Sequence, residues 1–169
     1  MDSEGVIISQ YGAALAMLRS AIDASPESLW KSDAYTNRTW HVAYHALFYA
    51  HLYLSRSEGA FVPWTEGRKN AHFLGALPWP PHTKPIVGEP YSRDALLSYA
   101  DQVIESVGAQ VRSAPFDDPS GFEWLPMNRI ELHIYNIRHI QHHAGQLIDR
   151  IRTQSGFGVE WVGLRHDSD

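Results

Sequence analysis

The residues best suited to chemistry in this sequence are histidines, and three lie within five positions of the stretch NIRHIQHHAGQLIDR, residues 136–150. Residues four apart on an α-helix differ by about 40° of rotation and one turn of rise. His139 and His143 have this spacing, so their rings can be directed at one metal ion. His142 points well away from His143 on the same helix, and we expect it to face solvent.

A second histidine group lies in the stretch WHVAYHALFYAHLYL, residues 40–54, which is apolar on nearly every side. Such a helix is mostly buried, and a buried imidazole needs a partner for its nitrogens. We expect His45 to be the third metal ligand because it lies deepest among apolar neighbours. His41 and His51 remain open alternatives: His41 is otherwise a pocket residue or a general base, and His51 is structural.

The remaining histidines carry weaker signals. His133 falls in the apolar strip of the last helix, so we expect a core or pocket residue rather than a ligand. His72 and His82 lie in an irregular stretch and His166 lies in the C-terminal tail, where surface or loop positions are expected. The chain has no cysteine, so any metal must be held by His, Asp or Glu.

Four predicted helices must position these residues. Apolar side chains three and four positions apart place them at residues 3–24, 37–55, 92–113 and 128–154. Ser92 is the expected N-cap of the third helix, and Thr36 or Asn37 that of the second. Asn128 followed by Glu131 resembles a capping box at the start of the fourth, and Gly156 is its stop signal.

These elements predict an all-α fold, with residues 1–169 forming one four-helix-bundle domain. A long loop rich in Pro and Trp, residues 57–91, joins the second and third helices. Connections of this length are often functional, so we expect residues 61–90 to border the histidine site.

Charge and hydropathy narrow the classes of partner. The net charge is -5 and no basic run is present, which argues against a nucleic-acid partner. The apolar histidine-containing stretch is too short and too polar to span a bilayer, and the N-terminus lacks a targeting pattern. We therefore expect a cytoplasmic protein without a membrane partner. The many aromatic residues favour a homodimer.

The two histidine stretches together resemble the DinB/YfiT-like superfamily of four-helix-bundle metalloenzymes. Members typically have one His on the second helix and a pattern like HxxxHxGQ on the fourth. Here that pattern runs from His139 through His143 to Gln146. The resemblance implies a divalent metal, zinc or nickel, held by His45, His139 and His143.

The resemblance also implies hydrolysis or thiol transfer on a small molecule, with a low-molecular-weight thiol as a candidate partner. No Glu lies between the paired histidines as it does in HExxH, so a base must come from elsewhere, and His41 is the candidate catalytic residue. A metal-bound thiolate needs no base once formed, which favours thiol transfer. The alternative is a non-catalytic, stress-related binding module whose metal is structural or absent.

Overall fold

The computed structural model describes residues 2–165, which contain helices and no strand. The helices are α1 (Ser3–Ala24), α2 (Glu27–Trp30), α3 (Thr39–Leu54), α4 (Arg93–Val111) and α5 (Arg129–Ser155), with a 3₁₀ helix at Glu58–Ala60. The predicted all-α fold is confirmed for this part of the chain. His166 lies outside the described residues.

The four long helices enclose one main core. α1 and α3 each pack against both α4 and α5. The largest fully buried side chains there include Tyr11 of α1, Trp40 and Leu47 of α3, and Tyr99 of α4. Each of these three helices thus contributes at least one aromatic ring to the core. Burial of these large apolar side chains supplies most of the stabilisation of this helix packing.

The predicted starts of the last two long helices are confirmed. Ser92 accepts a hydrogen bond from the Ala95 N–H, and Asn128 accepts one from the Glu131 N–H at 3.0 Å. Gly156 ends α5 in the left-handed region, with φ of 75°. Its lack of a Cβ makes that conformation accessible.

The predicted cap of α3 is wrong. The residue at its N-cap is Arg38, which makes no side-chain capping hydrogen bond, rather than Thr36 or Asn37. Most of the α3 side chains are buried, including those of its first turn. Tertiary packing therefore holds this helix without a side-chain cap.

Helix α2 was not predicted. It has four residues and follows Pro26, and one turn is too short to show a helical period in the sequence. Its last residue, Trp30, is buried and donates from Nε1 to the carbonyl of Tyr91 at 2.8 Å. This contact fixes the end of the segment that enters α4.

Residues 55–92 join α3 to α4 with no regular structure except the 3₁₀ helix. Trp64, Ala71 and Tyr91 of this segment are buried against the helices. The Arg68 guanidinium lies over the Tyr91 ring, 4.0 Å from its centroid. The segment is thus packed on the helices at several points, and one of these points adjoins the histidines.

Among the described residues, α1 is long and apolar enough to cross a membrane by length and composition alone. Within its most apolar window, 67% of the residues are buried inside the protein. The core helix of a folded domain has the same properties, so this observation is weak evidence for a membrane span.

Candidate metal centre

Helices α3 and α5 bring three histidines together. His45 projects from α3, and His139 and His143 project from successive turns of α5. Each offers one ring nitrogen, and these three atoms all lie within 4.8 Å of one another. The rings are therefore close enough to hold one metal ion, at the three positions the sequence predicts.

Hydrogen bonds fix which nitrogen of two rings carries the proton. His45 Nδ1 lies 2.6 Å from the carbonyl oxygen of His72. A carbonyl only accepts, so Nδ1 donates and His45 Nε2 keeps its lone pair. His143 Nδ1 lies 3.1 Å from Gln146 Oε1 and donates to it, which leaves His143 Nε2 as its free lone pair.

The third ring, His139, is incompletely satisfied within the described residues. Its Nδ1 is buried without a hydrogen-bond partner, and its Nε2 lies 3.1 Å from the lone-pair nitrogen of His45. Two imidazole nitrogens bound tetrahedrally to one zinc ion lie about 3.3 Å apart, given Zn–N distances of roughly 2.0–2.1 Å. The observed separation and the convergence of lone pairs fit a divalent metal.

Electrostatics keep these rings in the form that binds metals. Burial, with a smaller repulsion from the other imidazoles, lowers the pKa of His45 to about 3. Burial and the neighbouring His143 lower the pKa of His139 to about 4. Burial also lowers the pKa of His143. Neutral imidazole is the metal-binding state, so protons compete weakly at neutral pH.

His41 lies outside this group. Its Nε2 donates to the carbonyl of Ala71 at 2.8 Å, and its ring stacks on Trp40. His41 is 7% exposed and His45 is half-buried, so solvent exposure alone does not single out His45, although burial lowers the pKa of His45 more strongly. The role of His41 as a base stays a prediction; its observed contact holds residues 70–73 against α3.

The other histidines occupy separate places. His51 Nδ1 lies 3.1 Å from the Tyr99 hydroxyl, as befits a structural residue, and His142 is exposed. His133 is fully buried, with Nδ1 3.1 Å from the Tyr11 hydroxyl. His82 lies in a turn, where its Nδ1 donates to the Leu77 carbonyl.

Two neighbours of the site were missed by sequence reasoning. His72, expected at the surface of a loop, is half-buried and supplies the carbonyl that orients His45. The Tyr49 ring lies 4.9 Å from the ring of His45 and 5.6 Å from that of His139. A backbone contact leaves no signature in side-chain type, whereas Tyr49 sits four residues after His45, a spacing that could have indicated it.

The chain was compared with known proteins. No family model matches it, and no curated protein or solved structure shows significant similarity. Functional inference therefore depends on the geometry of the site.

Proposed function

We propose that this protein is a metal-dependent enzyme acting on a small molecule, with a divalent ion held by His45, His139 and His143. The observation that supports the proposal is the convergence of three imidazole nitrogens within 4.8 Å of one another. The low pKa values of these rings add to it. Three protein ligands are typical of catalytic rather than structural sites, because they leave a position for water or substrate.

The proposal extends to the fold. We infer that the four long helices form a four-helix bundle of the DinB/YfiT-like kind, with residues 57–91 as the Pro/Trp-rich loop beside the site. The HxxxHxGQ-like pattern and the hydrogen bond from His143 to Gln146 support this reading. The cytoplasmic location, the homodimer and the lack of nucleic-acid and membrane partners stay predictions.

The chain's own groups would prepare the site before any reaction. The His72 carbonyl and the Gln146 side chain each accept from the Nδ1–H of a ligand ring, which aims that ring's Nε2 inward. A bound zinc or nickel ion would supply Lewis acidity, which lowers the pKa of bound water or thiol. Tyr49 covers one side of the His45 and His139 rings and limits the access of water.

Two reaction classes suit this site, hydrolysis and thiol transfer. Positions 140–142, between the paired histidines, are Ile, Gln and His, so no carboxylate lies where HExxH enzymes place their base. His41, the candidate base, is engaged with a backbone carbonyl. These two facts favour thiol transfer, in which a low-molecular-weight thiol is used as its thiolate.

The test is an activity screen with matched metal-site variants. Protein loaded with zinc or nickel is assayed for hydrolysis of esters and amides, and for transfer of small thiols to electrophiles. We expect activity in the thiol arm, with loss of at least a hundredfold in His139→Ala and retention in His142→Ala. Equal activity of wild type and His139→Ala would contradict the proposal.

A further inference from the structure

A cavity of about 620 Å³ lies beside the three histidines. Its wall comes from α3, from residues 55–92 and from the segment between α4 and α5. The size suits a small molecule with one or two rings. Most of its lining is aromatic, including Phe48, Tyr49, Phe61, Phe73, Trp79 and Trp124.

The rings of this wall brace one another. Phe48 stacks in parallel on the His72 ring, with centroids 3.8 Å apart, and meets Phe61 edge to face. Phe73 meets Trp79 edge to face at 5.6 Å. Trp79 and Trp124 line the cavity and remain 46% and 49% exposed, so their rings are accessible to a ligand. The aromatic surface is therefore largely formed before a ligand arrives.

The charge of the lining is one-sided. Among the lining residues, Glu58 is the one with a charged carboxylate, and neither Lys nor Arg contributes. An anionic group held by this lining would lose its hydration and gain no Lys or Arg partner in return. A neutral ring would gain apolar and edge-to-face contacts, and a cation would also gain attraction from the ring faces and from Glu58.

The cavity and the histidine site share a wall. Tyr49 lines the cavity, and its ring also contacts those of His45 and His139. His72 lines it too, while its carbonyl accepts from His45. A molecule in the cavity is therefore separated from His45 and His139 by the Tyr49 side chain, which is close enough to affect groups bound to these histidines.

We propose that this aromatic cavity binds the substrate on which the histidine site acts, and that this substrate is an aromatic small molecule carrying no negative charge. The inference rests on the proposed function, because it treats the cavity as part of the same site. In thiol transfer, this molecule is the electrophilic acceptor: the thiolate sulfur bonds to one of its carbons, the leaving group on that carbon departs with the bonding electrons, and the thiol proton passes to the leaving group or to solvent. Specificity then comes from residues 58–79 and Trp124 rather than from the histidines.

The experiment titrates full-length protein, loaded with Co²⁺, with three ligands that share one ring system: naphthylmethanol, naphthylmethylamine and naphthoate. Calorimetry measures affinity, and the visible spectrum of the Co²⁺ reports changes at the metal. We expect the alcohol and the amine to bind and to perturb the spectrum. In the metal-free protein, where a carboxylate has no Co²⁺ to bind, we expect naphthoate to bind at least tenfold more weakly than the alcohol. Naphthoate binding to the metal-free protein as tightly as the alcohol would overturn the proposal.

Variants separate the cavity from other surfaces. Trp79→Ala should lower the affinity for naphthylmethanol about tenfold, as removal of one stacking ring does. Trp161→Ala is the matched control, since Trp161 is 73% exposed and does not line the cavity. Glu58→Gln should lower the affinity for the amine and leave the affinity for the alcohol unchanged. Equal effects of Trp79→Ala and Trp161→Ala would also overturn the proposal.

The metal content of the same samples distinguishes the two claims. If the protein binds no Co²⁺ but still discriminates between the ligands, the proposed metal-dependent function is contradicted. The cavity is then a ligand site that does not serve a metal centre. Protein that binds Co²⁺ without discriminating between the ligands contradicts the cavity proposal alone. Ligand binding that leaves the Co²⁺ spectrum unchanged shows that the cavity is separate from the metal site, which contradicts the proposal of a shared substrate.

Discussion

Gln146 is the side chain that holds the ring of His143, through the Nδ1–H···Oε1 hydrogen bond of 3.1 Å. Replacing it with Leu removes the acceptor and leaves the ring free to turn. Outer groups of this kind typically contribute a factor of about 10–100 to metal affinity. We expect Gln146→Leu to weaken zinc binding by that factor in a competition titration with a chromophoric chelator.

The matched control is Gln154→Leu, at an exposed position of the same helix whose side chain bonds Ser28. It should leave zinc affinity unchanged. Equal affinity of wild type and Gln146→Leu would show that Gln146 does not orient the ligand ring.

At the residue scale, the sequence predicted the three histidines of the site better than it predicted the groups that contact them. Helical spacing separated His142 from the pair that includes His143, and the structure leaves His142 exposed. The choice of His45 matches the observed group, although solvent exposure alone would have favoured His41. The contact from the His72 carbonyl could not be predicted, because any residue at that position presents the same backbone oxygen.

At the scale of elements, two glycines differ in whether the structure has room for a Cβ. Gly121, before α5, has φ of 85°, and a Cβ there would collide with the backbone of Arg56 and Ser57. Gly145 lies inside α5 with open space where a Cβ would stand. Backbone cannot yield as a flexible side chain does, so the two positions should respond oppositely to alanine.

We expect Gly121→Ala to lower the free energy of unfolding by about 2 kcal/mol or more, through steric conflict and an unfavourable φ. Gly145→Ala should raise it by about 0.5–1 kcal/mol, the usual gain from alanine in a helix interior. Urea denaturation measures both changes. Destabilisation by Gly145→Ala would mean that the motif glycine has a packing role that the structure does not show.

The helices differ in how far their sequences determine them. α4 and α5 carry their own signals, since Ser92 and Asn128 cap them and Gly156 ends α5. α3 lacks a side-chain cap and α2 has a single turn, so both depend on burial of Trp40 and Trp30 in the assembled core. Local pattern therefore predicts the caps of α4 and α5, but neither the start of α3 nor the existence of α2.

At the scale of the whole molecule, the histidines couple folding to pH. Seven of them have a pKa lowered by burial below the ordinary 6.5, to about 4 at His133 and to about 3 at His45. The unfolded chain binds more protons than the folded chain between the folded and unfolded pKa values. The free energy of unfolding should thus be highest above pH 6.5 and fall as the pH drops towards 4. These residues are His41, His45, His51, His72, His133, His139 and His143.

Denaturation of the chelator-treated protein at a series of pH values measures how the free energy of unfolding changes with pH. Because the metal has already been removed, its release at low pH does not contribute. A free energy of unfolding that stays constant between pH 7 and 5 would contradict the neutral buried state of these rings.

The overall arrangement could be predicted only in part. The all-α class follows from helical periodicity, and the meeting of α3 with α5 was inferred from the two histidine stretches. The aromatic cavity was not predicted, because it requires α3, residues 55–92 and Trp124 to meet. Contacts between distant irregular segments depend on the whole core and leave no periodic pattern in the sequence.

The central claim is that His45, His139 and His143 together hold one divalent ion, and elemental analysis of the purified protein tests it most directly. We predict about one zinc or nickel ion per chain in the wild type, as three-histidine sites hold. The ion should be lost in His45→Ala, His139→Ala and His143→Ala and kept in His142→Ala. A wild type without bound metal after incubation with zinc and nickel, or equal loss in all four variants, would contradict the claim.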